Sequence, residues 1–295
     1  MRHLQSDFDS LVGGDKNKTM ERRDFIKTAV GFGFAAATLP ICAKTVIRTD
    51  TVGLKDGEFE LDVGGTAVPV YMAQPEGKKD LPIVIVISEV FGLHEHIADV
   101  VRRFAKQGYL ALAPELFIRQ GEPANYDNIA QLMKEVISKV PDEQVIGDLD
   151  AVLAWAKRNG GDANKIAVAG FCWGGRFTWL YAAHNPGIKA AVAWYGRLVP
   201  DGAPTALSPT NPIDIAATLT VPVLGLYGGK DPGISAASIQ QMKDALAKGT
   251  SQSEFVIYPK SGHAFHADYR PGYMPDDAKD SWKRCLDWLH QHGVE

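Results

Sequence analysis

Three side chains in this sequence could divide the work of a nucleophilic hydrolysis: the thiol of Cys172, the carboxylate of Asp231 and the imidazole of His263. A thiolate attacks an acyl carbon. A histidine takes and returns the proton, and an aspartate fixes the ring tautomer and stabilises its charged form. The cysteine carries the strongest local signal. It sits in Gly170-Phe171-Cys172-Trp173-Gly174, the G-x-S-x-G elbow with sulfur in place of oxygen. Such a turn brings strand and helix so close that flanking side chains would collide, which calls for glycine on both sides. It also aims the backbone N–H of the next residue, Trp173, at the reaction centre. A bare G-x-C-x-G frame is weak, because a free cysteine is often only a small buried hydrophobe. Here the frame follows a buried-strand pattern with Ile166 and Val168. It precedes helically spaced Phe177, Leu180 and Tyr181, which is the strand–turn–helix context that the elbow requires.

The elements that must position these residues alternate along the chain. Apolar runs at 83–88, 109–114, 166–172, 190–195, 221–227 and 254–258 are separated by segments of helical periodicity, such as Ile97, Val100, Val101 and Phe104. Continuous apolar strands between helices predict an α/β fold with a mostly parallel central sheet covered by helices on both faces. Ahead of them, 58–63 and 66–73 flank Gly64-Gly65 and predict a β-hairpin, with 44–57 a linker or leading strand. In such sheets ligands gather beyond the carboxyl ends of the strands. There the chain places Gly228-Gly229-Lys230-Asp231-Pro232-Gly233 and Pro259-Lys260-Ser261-Gly262-His263-Ala264-Phe265. Taken singly, Asp231 also suits a turn, and His266 rivals His263. The order of nucleophile, acid and base at three strand ends is that of the α/β-hydrolases.

Composition narrows the field. The 295 residues are 45% hydrophobic and 22% charged with a formal net charge of -4. No basic stripe appears, which argues against a nucleic-acid partner. The cysteines Cys42, Cys172 and Cys285 are too few for a disulfide framework and lack C-x-x-C spacing. The first 43 residues read as an extension ahead of a single domain over 44–295. Within them, Arg22-Arg23-Asp24-Phe25-Ile26-Lys27 precedes an apolar stretch at 29–39 and then Ile41-Cys42-Ala43. That stretch falls short of the ~20 residues of a membrane span. The paired arginines resemble a twin-arginine export signal, so the expectation is cleavable export to the periplasm or beyond, with the export machinery as a partner. The alternative is an amphipathic anchor that stays attached. Met20 is a second possible start, and bulky Ile41 argues against a lipoprotein cysteine at Cys42.

Five segments, three of them already met, make up a family pattern. Glu89-Val90-Phe91-Gly92, Ala113-Pro114-Glu115-Leu116-Phe117, Gly170 to Gly175, Tyr227-Gly228-Gly229-Lys230-Asp231 and Gly262-His263-Ala264-Phe265 together resemble the dienelactone hydrolase (carboxymethylenebutenolidase) family. The resemblance implies an α/β-hydrolase fold, a Cys172–Asp231–His263 triad, no cofactor, and a lactone or ester cleaved through an acyl-cysteine. It assigns Glu89 to control of the cysteine's ionisation. On physical grounds a carboxylate near a thiol disfavours the thiolate and so protects a resting cysteine from oxidation. The oxyanion donors would be the backbone N–H groups of Val90 and Trp173. Arg119 matches a family arginine that binds the substrate carboxylate, a task suited to the guanidinium fork. A second family arginine is replaced here by Ala267, and nearby Arg270 is the candidate substitute. Trp194, Tyr195 and Tyr269 are candidates for an apolar pocket wall. The rival readings are a general esterase, a thioesterase or acyltransferase on the same site, or a non-hydrolytic thiol redox or ligand-binding protein.

Overall fold

The apolar runs assemble into one eight-stranded sheet in the order β1-β2-β4-β3-β5-β6-β7-β8. Its strands are β1 (Leu54–Val63), β2 (Thr66–Pro75), β3 (Leu81–Ile87), β4 (Leu110–Pro114), β5 (Gly161–Phe171), β6 (Ala190–Trp194), β7 (Val223–Gly228) and β8 (Glu254–Tyr258). The computed structural model describes residues 45–200 and 202–295. The segment with Arg22-Arg23, expected to direct export, and Cys42 lie outside the described residues. β1 and β2 form the antiparallel hairpin across Gly64-Gly65, and β2 pairs antiparallel with β4. Every other pairing is parallel. This is the α/β-hydrolase arrangement expected from the alternating pattern.

Burial explains why the inner strands were legible and the outer ones less so. All seven residues of β3 are buried. Successive side chains on a strand point to opposite faces, so both faces there are covered. The helices that cover them are α1 (Glu95–Lys106), α2 (Ile129–Glu135), α3 (Asp142–Arg158), α4 (Trp173–His184), α5 (Pro212–Ile215), α6 (Ala236–Leu246) and α7 (Pro275–Gln291). α1 packs on β2 and β4, α3 on β4 and β1, α4 on β5 and β6, and α7 on β6 and β7. α7 buries Cys285 completely, as its stripe with Trp288 and Leu289 requires. The outermost strand β1 alternates half-buried and exposed residues. It starts at Leu54 rather than 58, because a strand paired on one edge can carry Lys55 and Asp56. A stack of Phe59 on Trp155, with ring centroids 4.2 Å apart, ties the hairpin to α3. β5 likewise starts earlier than its apolar run, at Gly161, where it pairs with Leu81 before a register shift. Among the described residues no helix is long and apolar enough to cross a membrane.

Candidate active site

The register of the parallel strands sets where the chemistry can gather. Phe171 pairs with Trp194, Trp194 with Leu226, and Gly228 with Tyr258. The residues that follow these positions therefore leave the sheet along one edge. Cys172 is the first of them. It takes φ +55° and ψ -115°, a conformation that side chains rarely adopt, and it is the N-cap of α4. Two backbone bonds hold it there: its N–H donates to Trp194 C=O at 3.0 Å, and its C=O accepts from Arg176 N–H at 3.2 Å. The glycine frame is dictated by contact. A Cβ on Gly170 would lie 2.3 Å from Gly174 C=O, and one on Gly174 would lie 2.3 Å from Ile87 C=O. Gly175 and Gly196 press on each other in the same way, so the first turn of α4 rests against the end of β6.

A second close approach joins the loops that carry Asp231 and His263. A Cβ on Gly228 would meet Gly262 C=O at 2.4 Å, and Lys230 N–H donates to Ser261 C=O at 2.8 Å. The loops after β7 and β8 are thus laced together, and His263 Nδ1 lies 2.7 Å from Asp231 Oδ2. Burial works against a charged ring at His263. The carboxylate of Asp231 and the sulfur of Cys172 outweigh it and hold the imidazole well above its ordinary value. His266 is a different case. It is buried against Phe171 and Trp194, and burial drives its ring well below the ordinary value.

The loop after β3 completes the rim. Val90 belongs to it, and its shape is fixed by Glu115 from the end of β4. That carboxylate accepts from Leu93 N–H at 2.7 Å and from Phe117 N–H at 3.0 Å. Gly92, at φ +71°, leaves the space it occupies. Burial pushes the Glu115 carboxyl up to about 7. Glu89 lies below the rim, 1% exposed, with Oε2 accepting from Tyr269 O–H at 2.7 Å and standing 3.5 Å from His94 Nε2. Burial alone would raise this carboxyl. The contact with His94 and the nearby side chains of His96 and Arg270 prevail and hold it well below the usual range.

Cys172, His263, Val90 and Trp173 line one pocket of about 270 Å³, together with Met133, Arg176, Tyr195, Arg197, Ser208, Gly233 and Ile234. Two arginines picked out from the sequence are elsewhere. Arg119 is not among the lining residues; its fork is spent on Asp148 at 2.7 and 2.9 Å, and Nη2 also donates to Val63 C=O at 3.3 Å. Arg270 is buried, with its guanidinium 5.6 Å from the centroid of Phe91, where it serves Glu89 as a counter-charge. Of the three aromatic candidates, Tyr195 lines the pocket, Trp194 is core, and Tyr269 holds Glu89. The pocket arginines went unremarked in the sequence. Arg176, one turn into α4, binds Asp142 through two bonds and also Ser208 and Thr210 C=O, which straps the 208–210 segment over the pocket. Its only sequence signal is its place four residues past Cys172. Among the described residues no group of three His, Cys, Asp or Glu is placed to hold a metal ion.

Comparison with known proteins finds relatives over most of the chain. The model of the "Dienelactone hydrolase family" matches residues 68–293. A Methylorubrum extorquens protein named "Putative carboxymethylenebutenolidase" is 53% identical over the full length of both chains. A Bradyrhizobium protein named "Probable 2-oxo-3-(5-oxofuran-2-ylidene)propanoate lactonase" is 31% identical over 83% of this chain and 97% of its own. The crystal structure of the Klebsiella pneumoniae "Putative Dienelactone Hydrolase" superimposes with a TM-score of 0.79 at 53% identity, covering 81% of this chain and 99% of that one.

Proposed function

The chain belongs to the dienelactone hydrolase family and is a hydrolase of the ester and lactone type, and from that premise we propose that it cleaves its substrate through an acyl-cysteine on Cys172. The observation that carries this reading is the 2.7 Å bond of His263 to Asp231 in a pocket that the strained Cys172 also lines. His263 takes the thiol proton, and the sulfur forms a bond to the acyl carbon. The developing oxyanion accepts from the N–H groups of Val90 and Trp173. Collapse breaks the bond to the leaving oxygen, which receives the proton from His263. His263 then deprotonates water, which attacks the thioester, and the departing sulfur takes that proton back from His263. A panel of small lactones and aryl esters, with intact-mass detection of the acyl adduct, tests the reading. Hydrolysis without an adduct on Cys172 under rapid quench would refute the covalent route. No hydrolysis of any of them would favour the thiol-redox or binding alternative.

Arg119 is better read as a structural residue than as a reader of substrate carboxylates. Asp148, 1% exposed at its side chain, relies on it for a two-pronged pair. Arg119→Ala should therefore cost about 1.5–3 kcal/mol in urea denaturation, the value of a charged hydrogen bond whose partner stays buried. It should change kcat/KM equally for acidic and neutral substrates. A loss confined to acidic lactones would restore the carboxylate-binding role that the family pattern implies.

Export is part of the same proposal. The paired arginines before a short apolar stretch support a twin-arginine signal ahead of one hydrolase domain spanning 44–295. Replacing Arg22 and Arg23 by lysine should leave precursor in the cytoplasm, as read by fractionation and immunoblot. Unchanged processed protein in the periplasm would exclude that route.

A further inference from the structure

Tyr195 has no part in the chemistry assigned above, yet its position is costly. It follows β6 directly and takes φ +39°. A bulky side chain rarely adopts that conformation, and such strain collects at functional sites. The cause is visible on both sides of it. Its N–H is fixed to Leu226 C=O at 2.8 Å, and the next residue, Gly196, is pressed onto Gly175 at the start of α4. The backbone thus turns Tyr195 into the pocket wall, with its ring centroid 5.1 Å from that of His263. The phenol is fully buried, and its hydroxyl has no hydrogen-bond partner among the described residues. Buried hydroxyls nearly always have one, and a native exception calls for an explanation. Its neighbour Tyr227, by contrast, spends its hydroxyl on Gly196 C=O at 3.0 Å.

We propose that Tyr195 is a substrate-binding residue, whose O–H donates a hydrogen bond to an oxygen of the ester or lactone in the pocket. The inference rests on the hydrolytic reading of that pocket. Burial, together with the negative charge of Glu89, keeps the phenol protonated and hence a donor. A substrate oxygen supplies the acceptor that the fold withholds, and the bond strengthens as that oxygen gains negative charge.

Tyr195→Phe separates this role from a structural one. In the variant, kcat/KM for phenyl acetate and dihydrocoumarin should fall about ten- to hundredfold, the range of a hydrogen bond to a developing charge. Alkylation of Cys172 by iodoacetamide should stay within about twofold of the parent, and Tm should hold or rise, since an unsatisfied buried hydroxyl is removed. In a Cys172→Ala background, where turnover plays no part, Tyr195→Phe should weaken dihydrocoumarin binding about three- to tenfold. Activity and binding both at parental level would overturn the inference. So would a lower Tm, which means the hydroxyl has a partner in the fold, or an equal loss of alkylation, which means it acts on the thiol. A parent protein that binds dihydrocoumarin without hydrolysing any substrate would count against the hydrolytic reading, while the binding comparison would still decide the role of Tyr195.

Discussion

Cys172→Ala should lower ester and lactone hydrolysis by about 10³-fold or more, because the covalent route disappears while binding and the oxyanion donors remain. The fold should tolerate the change. The strain at φ +55° is borne by the backbone bonds to Trp194 and Arg176, and alanine keeps both. The residual rate should therefore come from a folded enzyme with parental Tm. Iodoacetamide provides an independent check by peptide mass mapping. Among the described cysteines, Cys172 is partly accessible, whereas Cys285 is buried and its thiol is pushed well above the ordinary value by that burial. Label should appear on Cys172 and not on Cys285 in native protein. Full activity in the alanine variant would end the acyl-cysteine mechanism.

His263→Ala should be comparably severe, again about 10³-fold or more, since one ring serves both acylation and deacylation. Its charge partner makes a further pH signature. Burial opposes protonation of His263, but Asp231 and Cys172 prevail, so the folded protein binds this proton more tightly than the unfolded chain does. A raised pKa contributes stability that is fully present below the unfolded value of about 6.5 and is lost as pH rises through the folded value. The difference in unfolding free energy between the parent and Asp231→Asn should therefore be widest at about pH 5 to 6.5 and shrink as pH rises. Chemical denaturation from pH 5 to about pH 9 checks it. A difference that grows with pH would mean that His263 is neutral in the folded state.

The turn at Cys172 was legible because an elbow is a local object. Its requirements, two glycines and a switch from strand to helix periodicity, fall within about a dozen residues, and the contacts of Gly170 and Gly174 state the same requirement in space. The meeting of Asp231 and His263 was legible for a related reason. Parallel strands deliver their following loops to one edge, so the order of runs in the sequence already places these residues together. The centre of the sheet was equally plain, because a strand buried on both faces must be apolar throughout, as β3 is. β1 needs no such run, and its start was missed by four residues.

What only the tertiary structure decided are pairings between residues far apart in the chain, for which residue type gives no partner. An arginine after a strand end reads the same whether it meets a substrate or Asp148, 29 residues on. Glu89 and Tyr269 are 180 residues apart, and only the packing of the loops after β3 and β8 makes them a hydrogen-bonded pair. The strap from Arg176 to Ser208 and Thr210, and with it the polar side of the pocket, arises in the same way. Tyr195 is the clearest case. Its residue type fits a packed core, as it does for Trp194 beside it, and only the three-dimensional contact of Gly196 with Gly175 turns its backbone left-handed and leaves its hydroxyl without a partner in the pocket wall. Local covalent geometry and periodicity are written in consecutive residues, whereas the partner of a buried polar group is chosen by whichever distant segment the close-packed fold brings against it.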